Sequence, residues 1–405
     1  MTIRVERLTF KGSRGAELSA RLDRPAGKPR AYAVFAHCFT CSKDINAARR
    51  ISGALAGLGI AVLRFDFTGL GSSEGEFANT NFSSNVADLV RAAEFLGKNY
   101  QAPQLLIGHS LGGAAVLAAA YELDDVRAVA TIGAPADAHH VTRNFNAHLG
   151  DINTAGSAEV TLGGRKFTIE KQFVENLKSA RVRENLRNLK KSVLIMHSPI
   201  DETVGIENAA QLYEAAFHPK SFISLDGADH LLTNARDAGF AADMIAAWAQ
   251  RYLDFEEEAE FEAPATAAVI RETGIGKFQN SVQVNGHRLL ADEPESYGGL
   301  NSGPSPYDFL AVALGACTAM TLRLYVERKK LEFGPFTVVV DHAKVHGDDE
   351  GKNVTGKIDR FVRKIHVDGE MDDQTRAKLL EIADKCPVHK TLESVSKVMT
   401  EMVTD

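Results

Sequence analysis

The stretch that decides the fold is Gln104-Leu105-Leu106-Ile107-Gly108-His109-Ser110-Leu111-Gly112-Gly113-Ala114-Ala115. Residues Gln104–Ile107 predict a buried strand, and Leu111–Tyr121 predicts a helix. The turn between them carries a G-x-S-x-G pattern. A serine at such a tight turn leaves no room for a Cβ two residues before or after it, which explains Gly108 and Gly112. The turn lifts the Ser110 hydroxyl above the sheet edge, so Ser110 is the candidate nucleophile.

Strands and helices alternate on both sides of this motif. Short runs that are almost wholly apolar predict strands covered on both faces, as in a parallel sheet. Helical patterns separate them, and this order predicts an α/β fold with a doubly wound, mostly parallel sheet. The predicted strands are Ala31–Ala36, Ala61–Phe65, Gln104–Ile107, Ala128–Ile132 and Val193–Met196, and the predicted helices are Asn46–Leu58, Phe82–Leu96, Leu111–Tyr121 and Ile206–Ala216.

One segment, about 137–188, interrupts the alternation. It is polar, poor in predicted strands and longer than an ordinary connection. Long loops inside compact domains are usually functional. We therefore expect this segment to form a lid that decides which acyl or alcohol group is accepted.

A serine hydroxyl needs a base to activate it, and the base needs an acid to orient it. Asp201 follows the predicted strand Val193–Met196, and His230 follows a short strand farther along the chain. The order Ser, Asp, His is typical of hydrolases with a serine at a strand-to-helix turn. Asp201 and His230 are therefore the candidate acid and base of an acyl-enzyme mechanism that needs no metal and no cofactor.

Residues 1–253 resemble the α/β-hydrolase family, in its small esterase or peptidase-like branch. The resemblance rests on the G-x-S-x-G pattern, on the pair Asp201 and His230, and on two further motifs, His37-Cys38-Phe39-Thr40 and Arg64-Phe65-Asp66-Phe67-Thr68-Gly69-Leu70-Gly71-Ser72-Ser73. It implies hydrolysis of a carboxylic ester, with the backbone amides of Phe39 and Leu111 as the oxyanion hole. Cys38 stands where glycine is usual in the family, which implies strain if that position needs a positive φ. Thioester, lactone and peptide substrates remain open.

A second domain is expected beyond an acidic linker, 254–267. The linker includes Phe255-Glu256-Glu257-Glu258-Ala259-Glu260-Phe261-Glu262-Ala263-Pro264-Ala265, whose carboxylates repel one another and whose proline disfavours helix. A frayed helix end inside a single domain is the alternative. Residues 268–405 predict an α+β domain with a hairpin turn at Asn285-Gly286. Its predicted strands are Val269–Thr273, Lys277–Val284, His287–Asp292, Phe336–Lys344 and Ile358–Val367, and its predicted helices are Pro306–Lys329 and Asp372–Lys385.

The four cysteines fall into two pairs. Cys38 and Cys41 form a C-x-x-C without a thioredoxin-like context or a second pair of zinc ligands nearby, so we expect a structural or incidental role. Cys317 lies on the apolar face of a predicted helix, where free cysteine is commonly a small core residue. Cys386 precedes Pro387, which is expected to end a helix and to leave the sulfur near the surface. From residue types alone, core and redox roles for Cys317 and Cys386 both remain open.

From about 268 to 405 the chain resembles the OsmC/Ohr family, nearest its broad, less well-defined branch. The resemblance rests on Gly298-Gly299, Gly303-Pro304-Ser305-Pro306, Leu314-Gly315-Ala316-Cys317 and Lys385-Cys386-Pro387-Val388-His389. It implies that Cys317 attacks an organic hydroperoxide and becomes a sulfenic acid. Cys386 would then condense with it to a disulfide, which an external dithiol reduces.

The same resemblance implies an intertwined homodimer and an arginine, oriented by a glutamate, that holds the thiolate. Asp308 stands in place of the glutamate, one methylene shorter, and Arg288 is the first candidate for the arginine, with Arg271 next. A non-enzymatic role, as a module that dimerises the hydrolase, stays open.

Composition and charge limit the number of domains, the kinds of partner and the cellular location that are expected. The 405 residues exceed what one hydrophobic core usually supports, and a net charge of −7 without a basic block makes nucleic acid an unexpected partner. No apolar stretch approaches ~18 residues, so no membrane span is expected. The N-terminus lacks the apolar core of a secretion signal, and four cysteines are few, so a cytoplasmic setting is expected.

Overall fold

The computed structural model describes residues 3–162, 164–255, 263–264, 266–346, 357–369 and 371–402. The chain forms two compact units, Met1–Glu262 and Ala263–Asp405. Most of the predicted linker, namely 256–262 and 265, lies outside the described residues.

The first unit is built on one large sheet with helices on both faces. Its strands are β1 (Arg4–Lys11), β2 (Glu17–Arg24), β3 (Ala31–Ala36), β4 (Ile60–Phe65), β5 (Leu105–His109), β6 (Ala128–Ile132), β7 (Ser157–Leu162), β8 (Arg165–Glu170), β9 (Ser192–His197) and β10 (Lys220–Ser224). Its helices are α1 (Asn46–Gly57), α2 (Phe82–Asn99), α3 (Leu111–Ala119), α4 (Leu149–Ala155), α5 (Lys171–Ser179), α6 (Val182–Asn188), α7 (Glu207–Ala215) and α8 (Ala235–Ala249).

The sheet has eight strands in the order β1-β2-β4-β3-β5-β6-β9-β10. The strands from β4 to β10 in that order are parallel to their neighbours, and β1 and β2 add an antiparallel edge. The predicted mostly parallel α/β sheet is therefore confirmed. The antiparallel edge was not predicted, because β1 alternates half-buried and exposed residues and lacks a continuous apolar run.

The central strands are apolar because both of their faces are covered. Every residue of β3, β4, β5, β6 and β9 is buried. On one face Ile51 of α1 and Ile245 of α8 close the core, and on the other Leu89 of α2 and Val116 of α3 do so. This burial fixes the carboxyl ends of the parallel strands, where the candidate catalytic residues lie.

The inserted segment 137–188 is not poor in strands. It contains a 3₁₀ helix at Ala138–His148, the helices α4 to α6, and the antiparallel hairpin of β7 and β8. The prediction was wrong because both hairpin strands are half exposed and carry charged residues, so neither has the apolar run that marks a central strand.

The second unit combines helices with two small antiparallel sheets, as expected for an α+β domain. Three strands form one sheet and two long strands the other, and Leu322, Val326, Leu379 and Ala383 form a small core. Its elements are β11 (Ala268–Glu272), β12 (Asn280–Val284), β13 (His287–Ala291), α9 (Pro306–Lys329), β14 (Phe336–His346), β15 (Lys357–Val367), α10 (Asp373–Ala383) and α11 (Pro387–Glu393).

The helix α9 corrects one expectation. In the described part of the chain it is the one helix long and apolar enough to cross a membrane by length and composition, so the statement that no apolar stretch approaches that length was wrong. Leu322 and Val326 of α9 lie in the core of the second unit. Core helices of globular domains meet the same criterion, so it is weak evidence for a span.

Candidate active site

Ser110 lies at a strained turn between β5 and α3. Its φ is 55° and its ψ is −126°, a conformation that non-glycine residues rarely adopt. A Cβ on Gly108 would lie 2.6 Å from the carbonyl carbon of Gly112, and a Cβ on Gly112 would lie 2.5 Å from the carbonyl oxygen of His37. Both positions therefore require glycine, as the sequence predicted.

The structure brings Ser110, His230 and Asp201 into one hydrogen-bonded chain. The distance from His230 Nε2 to Ser110 Oγ is 3.0 Å, and that from His230 Nδ1 to Asp201 Oδ2 is 2.7 Å. Asp201 follows β9, and His230 lies in the connection between β10 and α8. This arrangement can move a proton from a serine hydroxyl to an imidazole that a carboxylate orients.

Asp201 is held in its ionised form. Its other oxygen, Oδ1, accepts hydrogen bonds from the backbone N–H groups of Thr203 and Val204, both at 2.9 Å. Burial by itself raises the pKa of Asp201, but the hydrogen bonds from His230 and from these two amides outweigh it and lower the pKa below its usual value. The carboxylate is therefore negative at neutral pH and can stabilise a charged imidazole.

The cavity beside Ser110 also contains the two residues that are expected to form the oxyanion hole. Phe39 and Leu111 line the cavity beside Ser110, and neither backbone N–H has a hydrogen-bond partner among the described residues. Such amides are the donors that stabilise the negative oxygen of a tetrahedral intermediate. The left-handed conformation in this loop belongs to Thr40, with a φ of 59°, and not to Cys38, so the strain inferred for Cys38 is absent.

Cys38 and Cys41 are joined by a disulfide. The C-x-x-C spacing was interpreted as structural or incidental, and no bond was predicted, because a C-x-x-C occurs in reduced, metal-bound and bonded forms alike. The bond encloses Phe39, which lines the same cavity as Ser110.

Ser110 and His230 line a cavity of about 260 Å³. Its walls come from the loop after β3, the turn that bears Ser110, and the loops that carry Asp201 and His230. The 3₁₀ helix of the insertion contributes His140, Val141 and Asn144. Part of the insertion therefore lines the cavity. Its role in selecting substrates stays a prediction.

Several buried polar residues that support the site were not singled out from the sequence. Asp66 binds the backbone N–H and the ammonium group of Lys43, both at 2.6 Å, and so anchors the end of the Cys38–Cys41 loop. His109 donates from Nε2 to the carbonyl oxygen of His230 at 2.6 Å, and His197 donates to that of Val204 at 2.7 Å. Asp66 lies in the motif at residues 64–73 and His109 in the G-x-S-x-G motif, and these positions were the sequence signal from which both could have been found.

In the second unit the structure brings Cys317 and Cys386 together. Cys317 lies on α9 and is half buried, whereas Cys386 precedes α11 and is fully buried, so the expected surface position of Cys386 is wrong. Both are free thiols. Burial raises the pKa of Cys386, but hydrogen bonds from the His389 backbone N–H, Cys317 and Thr318 outweigh it and lower the pKa.

The arginine of this cluster is Arg363, which the sequence did not single out. Its Nη1 lies 2.8 Å from Thr318 Oγ1, which lies 3.8 Å from Cys386 Sγ. Arg288 instead lies exposed on β13, and Asp308 caps α9 by accepting from the Ser305 hydroxyl at 2.7 Å. Neither has a described contact with Cys317. Arg363 was missed because strand register, and not spacing along the chain, brings it there.

Comparison with known proteins finds a family match in each of the two units of the chain. A family model for serine aminopeptidase S33 matches residues 27–155, and one for OsmC-like protein matches 299–401. The crystal structure of the esterase domain from a Rhodothermus marinus protein is 51% identical, with a TM-score of 0.51, and the match covers 62% of this chain and 99% of that domain. The chain belongs to the α/β-hydrolase family and carries an OsmC-like domain.

Other relatives are more distant. The hydrolase shares 33% identity with monoglyceride lipase from Homo sapiens over 109 residues, which is 26% of this chain and 35% of that lipase. The chain thus spans about a third of the length of the curated relatives that it matches. The α/β hydrolase GrgF from Penicillium sp. sh18 is 18% identical with a TM-score of 0.52, covers 62% of this chain and 99% of its own, and shares the fold alone.

Substitution of Gly112 by alanine is expected to disable the hydrolase. The new Cβ would meet the backbone carbonyls of Ala36 and His37, which cannot move without shifting β3. We expect a loss of about 1–3 kcal/mol in unfolding free energy and loss of ester turnover, measured by urea denaturation and by hydrolysis of a small activated ester. Gly239→Ala is the matched control, since a Cβ there meets nothing within 4 Å. Equal stability of both variants would contradict the geometry.

The buried ring of His109 predicts that the hydrolase loses stability in mild acid. Burial, and after it the neighbouring His230, lowers the pKa of His109 from 6.5 to about 4. The unfolded chain binds this proton at higher pH than the folded chain, so stability present above pH 6.5 is lost as the pH falls towards 4. His109 accounts for about 3 kcal/mol of that loss.

Urea denaturation at neutral pH and near pH 5 measures this effect. His109→Gln should lose less stability between the two conditions than the wild type, whereas His218→Gln, at an exposed site, should lose as much as the wild type. An unchanged pH slope in His109→Gln would rule out this role.

Proposed function

We propose that the hydrolase domain cleaves carboxylic esters through a covalent acyl-enzyme on Ser110. His230 takes the hydroxyl proton as Ser110 Oγ attacks the ester carbonyl carbon, while Asp201 orients the imidazole. The negative oxygen of the intermediate faces the amides of Phe39 and Leu111. His230 then protonates the leaving alcohol, and it later activates the water that releases the acid.

The observation that carries this proposal is the hydrogen-bonded chain from Ser110 to Asp201, which ends in a cavity that Phe39 and Leu111 also line. The 51% identity to a domain described as an esterase supports the substrate class. Thioester and peptide hydrolysis use the same groups and are the alternatives.

The size of the cavity favours small substrates. About 260 Å³ is below the range of about 300–1,000 Å³ that holds drug-sized ligands. The test is a panel of p-nitrophenyl esters with lengthening acyl chains, beside a thioester and a peptide anilide. The highest kcat/KM on short-chain esters supports the proposal. Turnover of the anilide alone would contradict esterase activity and would indicate a peptidase.

The second proposed activity is reduction of organic hydroperoxides by the OsmC-like domain. The thiolate of Cys317 attacks the distal peroxide oxygen, the O–O bond breaks, and an alcohol leaves as Cys317 becomes a sulfenic acid. Cys386 then attacks that sulfur, water leaves, and an external dithiol reduces the resulting disulfide. The specific observation is the contact of the half-buried Cys317 with the buried Cys386, whose pKa is lowered.

Two further expectations remain proposals. We place the chain in the cytoplasm, and we propose a homodimer through the OsmC-like domain. A dimerisation module without peroxidase activity is the alternative role for that domain. A dimeric mass in solution together with no consumption of hydroperoxide would favour the alternative.

A further inference from the structure

The disulfide of the hydrolase domain encloses a group that the reaction uses. Cys38, Phe39, Thr40 and Cys41 all line the cavity with Ser110, and the bond joins the first of these residues to the last. Phe39, whose amide is a proposed oxyanion donor, therefore lies inside the covalent loop. The C-x-x-C pair therefore lies in the wall of the cavity that contains Ser110.

The loop is restrained from several sides, and the disulfide closes it. The Cys41 N–H donates to the Cys38 carbonyl oxygen at 3.2 Å, and Arg165 of the β7–β8 hairpin donates to the Thr40 carbonyl oxygen. Thr40 is β-branched and left-handed, a conformation that costs energy and persists only where surrounding structure imposes it. A disulfide limits the alternatives open to such a loop, so breaking it frees Thr40 to relax and Phe39 to turn.

The two sulfurs differ in access. Cys38 is 4% exposed, whereas Cys41 is half buried at the cavity wall. An incoming thiolate can therefore reach Cys41 Sγ, with Cys38 as the leaving group. In a compartment that keeps thiols reduced, the disulfides that exist are usually catalytic or redox-sensing.

We propose that Cys38 and Cys41 form a redox-active site that exchanges electrons with a dithiol, and that opening their disulfide lowers ester turnover by releasing the Phe39 amide. The effect on turnover rests on the proposed esterase function.

The exchange balances as a two-electron transfer. One thiolate of the dithiol attacks Cys41 Sγ, the Cys38–Cys41 bond breaks, and Cys38 leaves as a thiolate that takes a proton. The second thiolate of the reductant attacks its own sulfur in the mixed disulfide and releases Cys41. The hydrolase gains two thiols, and the reductant becomes a disulfide. Two sources of the reductant share this chemistry, namely a free dithiol and the Cys317/Cys386 pair of the same protein.

The experiment treats the full chain with dithiothreitol and follows two quantities together. Alkylation and peptide masses report the state of Cys38 and Cys41, and a short-chain ester reports kcat. We expect kcat to fall by about 10- to 100-fold as these two thiols appear, short of what outright loss of an oxyanion donor costs, and to recover after oxidation with diamide. Cys41→Ser should turn over at the reduced rate and should not respond to dithiothreitol.

The double variant Cys317→Ser/Cys386→Ser identifies the source of the dithiol. The rate at which the Cys38–Cys41 disulfide opens is measured in the wild type and in this variant, each relative to its own oxidised state. Opening by limiting dithiothreitol at the wild-type rate assigns the role to free dithiols, and slower opening assigns it to the internal pair.

Three results would overturn the inference. They are an opened disulfide with unchanged kcat, a disulfide that resists dithiothreitol in the folded protein, and a dithiothreitol effect that persists in Cys41→Ser. A protein that hydrolyses no ester in either state contradicts the esterase function instead, and the peptide masses alone then decide whether the pair exchanges with dithiols.

Discussion

Replacement of Ser110 with alanine is expected to lower kcat for a short-chain ester by about a millionfold, the loss typical when the nucleophile of a serine hydrolase is removed. The reason is that in the proposed mechanism His230 and Asp201 act only through the serine oxygen, which lies 3.0 Å from His230 Nε2. In the same mechanism the amides of Phe39 and Leu111 still stabilise a negative oxygen in this variant, so slow hydrolysis by water is expected to remain.

The measurement combines ester turnover with covalent labelling by a fluorophosphonate, which reports the nucleophile directly. Ser83→Ala, at an exposed serine that binds Asn176, is the matched control and should keep both signals. Full turnover or labelling of Ser110→Ala would show that another group performs the reaction.

Cys317→Ser is expected to abolish the consumption of cumene hydroperoxide with a dithiol reductant, since no sulfenic acid can form. Cys386→Ser is expected to consume one equivalent of hydroperoxide and then stop, because Cys317 is oxidised and lacks its condensing partner. The buried position of Cys386 supports this order, because a hydroperoxide reaches the half-buried Cys317 first.

Trapping with dimedone separates the two roles. A dimedone adduct on Cys317 in Cys386→Ser, with none in Cys317→Ser, supports the assignment. The reverse pattern would make Cys386 the thiolate that attacks the hydroperoxide, in keeping with its lowered pKa. No consumption by the wild type would leave the domain as a dimerisation module.

Local patterns were enough to predict the sheet and the three catalytic candidates that the structure brings together. The strand Ala128–Ile132 and the helix Pro306–Lys329 have the predicted bounds, because apolar runs and proline or glycine at element ends are local signals. Ser110 was found from its neighbours Gly108 and Gly112, whose positions the elbow requires.

The features that were not predicted depend on contacts between residues far apart in the chain, which spacing along the sequence does not reveal. Arg363 reaches the cysteine pair because β15 pairs with β14 in one register, whereas Arg288 was named as the first candidate without a matching sequence pattern. The disulfide of Cys38 depends on how the loop after β3 folds back, and the hairpin of β7 and β8 has strands too polar to be recognised.

The insertion occupies the crossover between β6 and β9, two strands that are already neighbours in the sheet. The elbow after β5 and the loops bearing Asp201 and His230 lie elsewhere in the chain. A hydrolase built this way is modular. Exchange of the one segment 137–188 would replace its part of the cavity wall while leaving the strands of the large sheet and the candidate triad in place, so we expect that substrate range can be changed by transplanting a single segment.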